Sequence, residues 1–312
     1  MSNTPFYIFT VCLTLVGGGY LFTESGKYVR NGDVSLWTEH FGNINNPCVL
    51  LIHGAGSHRH TWPDDFCNSL VDNNFFVIRY DLRDSGHSTS FGKKKKGSPP
   101  HYTFSEMAND AWTVLDAYGI KNTHIIGHSM GGTITEYLLT THPERIKTAT
   151  IIATGPTMTP SVAKELNLSE RDPEVGKMLA GNRPTGCYPK DRAYWIKCWT
   201  MLHGSCPLDL SMMDLYTKQF YSFFRTSGAI KNHISAIKTI TPTLAYDLKK
   251  VSLPILVIHG TEDKLVPFDH GKKIADLIPN AKFLPLEKAG HMFFNKELWK
   301  IITESVVTHL TS

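Results

Sequence analysis

Charge is missing from the start of this 312-residue chain: none of the first 23 residues has a charged side chain. Phe6 to Phe22 is predominantly apolar, with Gly17-Gly18-Gly19 near its end, so it fits a secretory h-region, a single membrane anchor or a segment packed on the domain. No Lys or Arg precedes Lys27, although a signal peptide normally opens on one. Lys27 and Arg30 follow the run, which on the positive-inside bias favours a cytoplasmic domain behind an anchor. Residues 1–25 thus read as anchor or signal-like, placing the protein at a membrane or exporting it, and otherwise leaving it in the cytoplasm. Excess charge of one sign is also missing. Lys and Arg number 32 against 28 Asp and Glu, a formal +4, which argues against nucleic acid as a principal partner. The six cysteines (Cys12, Cys48, Cys67, Cys187, Cys198, Cys206) show neither Cys-x-x-Cys spacing nor the density of a disulfide scaffold, which argues against a metal site or a stapled fold. What is present, 41% hydrophobic and 19% charged residues, suffices to bury one large core without splitting the chain at a linker.

The most informative stretch is Thr123 to Gly132. The apolar run His124-Ile125-Ile126 leads into Gly127-His128-Ser129-Met130-Gly131, and Thr133 to Thr141 is compatible with a helix. Strand, sharp turn and helix around Gly-x-Ser-x-Gly make a nucleophile elbow. A serine at the tip of so tight a turn sits in strained backbone, and glycine is needed where a Cβ would strike the adjoining strand and helix. The helix that follows aims its first N–H groups at any oxyanion formed there.

This arrangement resembles the α/β-hydrolase family, whose triad runs in the order Ser, Asp or Glu, His. The resemblance implies a doubly wound, mostly parallel α/β sheet, with Ser129 as nucleophile and an acid and a histidine downstream. Before the elbow, Tyr28-Val29-Arg30 and Val34 to Trp37 flank Asn31-Gly32-Asp33, a hairpin signal. Cys48 to Ile52 is a short run suited to a strand buried on both faces, ending in His53-Gly54-Ala55-Gly56-Ser57. That His-Gly pair resembles the family's oxyanion loop, which makes the N–H groups of Ala55 and Met130 the implied oxyanion donors. An amphipathic helix near Trp62 to Val71 and a strand at Phe75 to Tyr80 follow, then Asp81-Leu82-Arg83-Asp84-Ser85-Gly86-His87-Ser88, whose charges are expected to satisfy loop backbone. Lys93 to Lys96 lie in a Gly- and Pro-rich stretch that reads as a solvated basic loop. Phe104 to Tyr118 has helical spacing, and Ile146 to Thr154 is again strand-like.

From Gly155 to about Thr243 the strand pattern stops, and aromatic and thioether side chains accumulate, among them Trp195, Trp199, Met213, Tyr216, Phe220 and Phe224. An insertion here is, in the family, a cap over the nucleophile, so the expected organisation is a core of 26–154 and 244–312 with a helical cap of 155–243. The composition suits a roomy pocket for a bulky acyl group, although each aromatic residue could equally serve to hold the cap on the core. Strand character returns at Pro254 to His259. Gly260-Thr261-Glu262-Asp263 stands where the family keeps its acid, which points to Asp263, with Glu262 as the rival. Asp269 to Leu277 is helical, Phe283 to Leu286 is the last strand, and Gly290-His291 after it makes His291 the implied base. His128 is expected to shape the pocket and not to carry protons.

Within the family, Gly32-Asp33-Val34-Ser35-Leu36-Trp37, Trp62-Pro63-Asp64-Asp65-Phe66 and Arg79-Tyr80-Asp81 with Arg83-Asp84-Ser85-Gly86 are most similar to the bacterial aclacinomycin methylesterase group. Fold and triad carry over; the polyketide substrate of that group does not, and the apolar N-terminal extension is a departure. Serine at the nucleophile position argues against epoxide hydrolases and haloalkane dehalogenases, which place aspartate there. The expectation is an esterase acting on a small-molecule ester, apolar or bulky, through Ser129, His291 and Asp263, with no metal or organic cofactor. Carbon–carbon bond hydrolysis or perhydrolysis on the same triad is the alternative within enzymes, and a non-catalytic ligand-binding protein is the alternative outside them.

Overall fold

The structure, a computed structural model, describes residues 25–93, 95, 97–156, 159–181, 188, 190–223 and 229–312. The apolar stretch 1–24, Lys94 and Lys96 of the basic loop, Cys187 and Phe224 lie outside the described residues. Among those described, no helix is long and apolar enough to cross a membrane.

Two antiparallel strands open the fold, β1 (Ser25–Asn31) and β2 (Val34–Phe41), joined through Gly32-Asp33. The asparagine ends the first strand and Gly32, at φ 59°, takes the positive-φ position of the two-residue turn. The remaining strands are β3 (Cys48–Ile52), β4 (Phe76–Tyr80), β5 (Thr123–His128), β6 (Ile146–Ile152), β7 (Ile255–Gly260) and β8 (Lys282–Leu286). They form one eight-stranded sheet in the order β1-β2-β4-β3-β5-β6-β7-β8, parallel from β4 onward. The sheet is therefore mostly parallel, with an antiparallel hairpin on one edge. Helices on both faces are α1 (Asp64–Asp72), α2 (Phe104–Ala117), α3 (Met130–Thr141), α9 (Leu244–Asp247), α10 (Phe268–Leu277) and α11 (Lys296–Leu310). Between β6 and β7 come α4 (Pro160–Glu165), α5 (Pro173–Ala180), α6 (Arg192–His203), α7 (Leu210–Phe223) and α8 (Ala229–Ile237).

The apolar runs explain the layering. Each central strand is buried on both faces, so alternate residues supply two cores. Leu50, Ile52, Ile125, Ile151 and Val257 join α2 and α3 residues such as Met107 and Ile134 on one side. Val49, Leu51, Ile126, Ile152 and Ile258 pack with Phe66, Leu70, Ile302 and Val306 of α1 and α11 on the other. A third cluster belongs to the insertion: Trp195, Trp199, Met213, Tyr216 and Phe220 gather around Phe294 of the C-terminal segment. These aromatics are buried in packing against one another and Phe294.

Candidate active site

Ser129 sits between β5 and α3 at φ 55° and ψ −124°, a conformation that disfavours a side chain by roughly 1–3 kcal/mol. The surroundings hold it there. Its N–H donates to the Ile152 carbonyl at 2.8 Å, and its own carbonyl accepts from Gly132 N–H at 2.8 Å and Thr133 N–H at 3.2 Å. The flanking glycines are obligatory: a Cβ on Gly127 would lie 2.2 Å from the Gly131 carbonyl oxygen, and one on Gly131 would lie 2.1 Å from the oxygen of Ile52. The helix starts at Met130, three residues earlier than its sequence pattern suggests, because the elbow leaves no intervening loop. The Met130 N–H is thus one of the first-turn donors that have no partner within a helix.

Three chain-distant side chains converge here. His291 Nε2 lies 3.0 Å from Ser129 Oγ, and His291 Nδ1 lies 2.8 Å from Asp263 Oδ2. Because Asp263 is an acceptor, Nδ1 carries the proton, and Nε2 is left bare to accept the serine hydroxyl. Asp263 Oδ1 accepts from the N–H groups of Leu265 at 2.8 Å and Val266 at 2.9 Å, so the carboxylate is fixed from both oxygens. Burial would push its pKa up, but the attraction of His291 and hydrogen bonding from His259 and His291 outweigh this and hold it well below the usual carboxylate range. Glu262 turns the other way: its two oxygens accept from Ser205 N–H at 2.8 Å and Ser205 Oγ–H at 2.7 Å. The neighbouring acids thus divide, with Asp263 on the imidazole and Glu262 on the insertion.

The loop carrying Ala55 presses directly on Ser129, since a Cβ on Gly54 would come within 3.0 Å of Ser129 Cβ. His53 Nε2 accepts from Leu82 N–H at 3.1 Å, so the Nδ1–H donates to the Gly54 carbonyl at 2.8 Å. Behind this loop Arg59 pairs with Glu39 and, at 2.9 Å, with Asp81, while Arg79 pairs with Glu39 at 2.8 Å. Asp81 also accepts from the N–H groups of Arg59 at 2.9 Å and His87 at 3.0 Å, and Asp84 accepts from Phe91 N–H at 2.7 Å. The acids of this turn do satisfy loop backbone, as their pattern implied, and Asp81 carries a buried ion pair besides. His128 braces the segment that carries His291: its Nε2–H donates to the backbone oxygen of His291 at 2.9 Å. Burial, followed by repulsion from His291, pulls its pKa down to about 3, which keeps it uncharged.

One contact was not legible in the sequence. The end of α6 is stitched to the segment that carries His291, with Gly290 N–H on the His203 carbonyl at 2.7 Å and Met292 N–H on the Leu202 carbonyl at 2.9 Å. The two backbones touch because both sides carry glycine: a Cβ on Gly204 would meet the Lys288 oxygen at 2.4 Å, and one on Gly290 the Leu202 oxygen at 2.4 Å. His203 Nδ1 adds an acceptor for Phe294 N–H at 3.2 Å.

With this geometry and this sheet order, the chain belongs to the alpha/beta hydrolase fold family, whose model matches residues 47–297. It is an enzyme of that family. It is 28% identical over 279 residues to rhodomycin D methylesterase DauP from Streptomyces sp., covering 85% of this chain and 91% of that one. It is 25% identical over 247 residues to a putative carbamate hydrolase RutD from Pseudomonas savastanoi, covering 78% of this chain and 86% of that one. Among solved structures, a bromoperoxidase from Bacillus anthracis superposes with a TM-score of 0.71 at 21% identity, covering 92% of this chain and all of the other, which speaks to the fold alone.

Proposed function

We propose that this enzyme cleaves a carboxylic ester through an acyl-enzyme, with Ser129 as nucleophile, His291 as general base and acid, and Asp263 as the group that orients and stabilises the imidazole. The observation that carries this reading is the unbroken hydrogen-bonded chain from Ser129 Oγ through His291 to Asp263, at 3.0 and 2.8 Å. As Ser129 Oγ attacks the ester carbonyl, its proton passes to His291 Nε2, and the Asp263 carboxylate balances the imidazolium. The N–H groups of Ala55 and Met130 receive the oxygen as it becomes negative; the loss of one such donor raises the barrier by ~3 kcal/mol. The proton then goes to the departing alcohol. A water, deprotonated by the same nitrogen, splits the acyl-enzyme and regenerates Ser129.

In this reading residues 155–243 form a cap on the core of 26–154 and 244–312, and the substrate is a small-molecule ester. The rhodomycin D methylesterases among the relatives favour a methyl ester as the first class to try. The test uses the full chain and Ser129→Ala with p-nitrophenyl esters from acetate to palmitate, methyl esters of aromatic acids, and fluorophosphonate labelling. The parent is expected to hydrolyse some members and to be labelled, and the variant to do neither. A folded parent that is neither active nor labelled refutes the reading in favour of a ligand-binding protein. Labelling without turnover of any ester redirects it to carbon–carbon bond hydrolysis or perhydrolysis.

A further inference from the structure

Ala55 lies between two peptide groups, and each is gripped by a buried histidine. The Gly54 carbonyl, which belongs to the same peptide unit as Ala55 N–H, accepts from His53 Nδ1–H at 2.8 Å. In a trans peptide these two groups point in opposite directions, so fixing the carbonyl fixes the direction of the N–H. The next unit is held from the insertion. Gly56 N–H donates to Nδ1 of His233 on α8, 177 positions away in the chain, at 2.9 Å. Nδ1 is therefore bare, and the proton on Nε2 goes to the Arg83 carbonyl at 2.7 Å.

The contact has the marks of a fixed joint. His233 is fully buried. Gly56 has φ 63°, and a Cβ there would lie 2.8 Å from Ile230 Cβ, so the loop meets α8 as closely as glycine allows. The neighbouring Asn232 anchors the same helix turn, donating to Asp84 Oδ2 at 2.9 Å and to the Gly92 carbonyl at 2.8 Å. Arg83, whose carbonyl takes the His233 proton, is itself locked by a two-point pair with Asp110 at 2.7 Å. These contacts fix α8 and the Arg83 carbonyl, and so the ring of His233 that meets Gly56 N–H.

We propose that His233 is a positioning residue for the oxyanion loop: as a neutral Nε2–H tautomer it accepts Gly56 N–H and, with His53, sets the direction of Ala55 N–H. The inference rests on the reading of Ala55 as an oxyanion donor. Its consequence is that the helical insertion takes part in the chemistry by completing the oxyanion loop from outside the core.

Two substitutions separate the role from plain packing. His233→Asn puts an amide oxygen near the position of Nδ1 and keeps an acceptor for Gly56 N–H, whereas His233→Gln reaches the position of Nε2 and keeps only the bond to Arg83. Each variant gives up one hydrogen bond. With the best ester from the series above, His233→Gln is expected to lose about 10- to 100-fold in kcat with KM within about twofold, a fraction of the 10²–10³ seen when an oxyanion donor is removed outright. His233→Asn should recover most of that loss. Parent kcat in folded His233→Gln, or equal losses in both variants, would overturn the proposal. Should either variant fail to fold, nitrogen NMR of histidine-labelled parent decides: a neutral Nε2–H ring at His233 supports the proposal, and an Nδ1–H ring refutes it. An inactive parent, or an active Ser129→Ala, instead overturns the esterase reading itself.

Discussion

Glu136 offers a measurement that isolates one buried group. It lies on α3, seven residues beyond Ser129, with both carboxyl oxygens buried and no hydrogen-bond partner among the described residues. Burial raises its pKa well above the ordinary value, with no opposing charge. In the unfolded chain the group titrates near about 4.3. Between that pH and the folded-state pKa the native protein holds a proton that the unfolded chain has released, so stability must fall as pH rises, by about 1.4 kcal/mol per pH unit. Below the unfolded pKa both states are protonated and the penalty vanishes. Glu136→Gln keeps the shape of the neutral acid and removes the titration. Urea unfolding of parent and variant, at matched ionic strength from pH 4 upward, should give curves that coincide at the acid end and separate with that slope, the variant being the more stable. Other titrating groups, Asp263 among them, are common to both proteins and cancel. A difference that stays constant across pH would refute the reasoning, since it would mean that the carboxylate finds a partner or water in the folded state.

Asp263→Asn should leave the fold intact and lower kcat by on the order of 10³- to 10⁴-fold, because an amide can stabilise the wrong imidazole tautomer; steady-state kinetics read this. The depressed Asp263 pKa adds a stability signature of opposite sign to that of Glu136: its contribution is present above the unfolded aspartate value of about 3.9 and is lost as pH falls through the folded one, so Asp263→Asn should cost more stability at pH 7 than near pH 3. Glu262→Gln should keep kcat within about threefold, since Glu262 holds Ser205 and not the imidazole; a loss matching that of Asp263→Asn would reverse the assignment of the acid. Gly290→Ala drives a Cβ to 2.4 Å from the Leu202 oxygen and should lower the melting temperature and kcat together, by about 1–3 kcal/mol in stability. An unchanged melting temperature would mean that the backbone contact yields freely.

Much of this was readable because it is carried by local pattern. The buried strands announce themselves as continuous apolar runs, and Cys48–Ile52, Phe76–Tyr80 and Ile255–Gly260 fall within a residue or two of their sequence limits. The elbow is legible because strand, strained serine and helix are consecutive, and chain order then points to Asp263 and His291. The bond from His128 to the His291 carbonyl is not legible, since only the path of the chain after β8 brings that carbonyl to its ring. No pattern could have supplied the pairing of Gly56 with His233 or of Gly290 with His203: each joins short segments of unremarkable composition across long stretches of chain. The network of Arg59, Glu39, Arg79 and Asp81 is invisible for the same reason, as its members come from three different parts of the first 81 residues.

The insertion is thus joined to the site from two sides. The end of α6 holds the backbone on either side of His291, and α8 holds the loop that carries Ala55. A movement that lifted α6 and α8 together would break the Gly290, Met292 and Gly56 bonds at once, each worth about 1 kcal/mol and more when its groups are left buried. It would also release the two groups that the proposed chemistry needs most in register, the imidazole and one oxyanion donor. A substrate route compatible with an assembled site therefore leaves the C-terminal end of α6 and all of α8 in place.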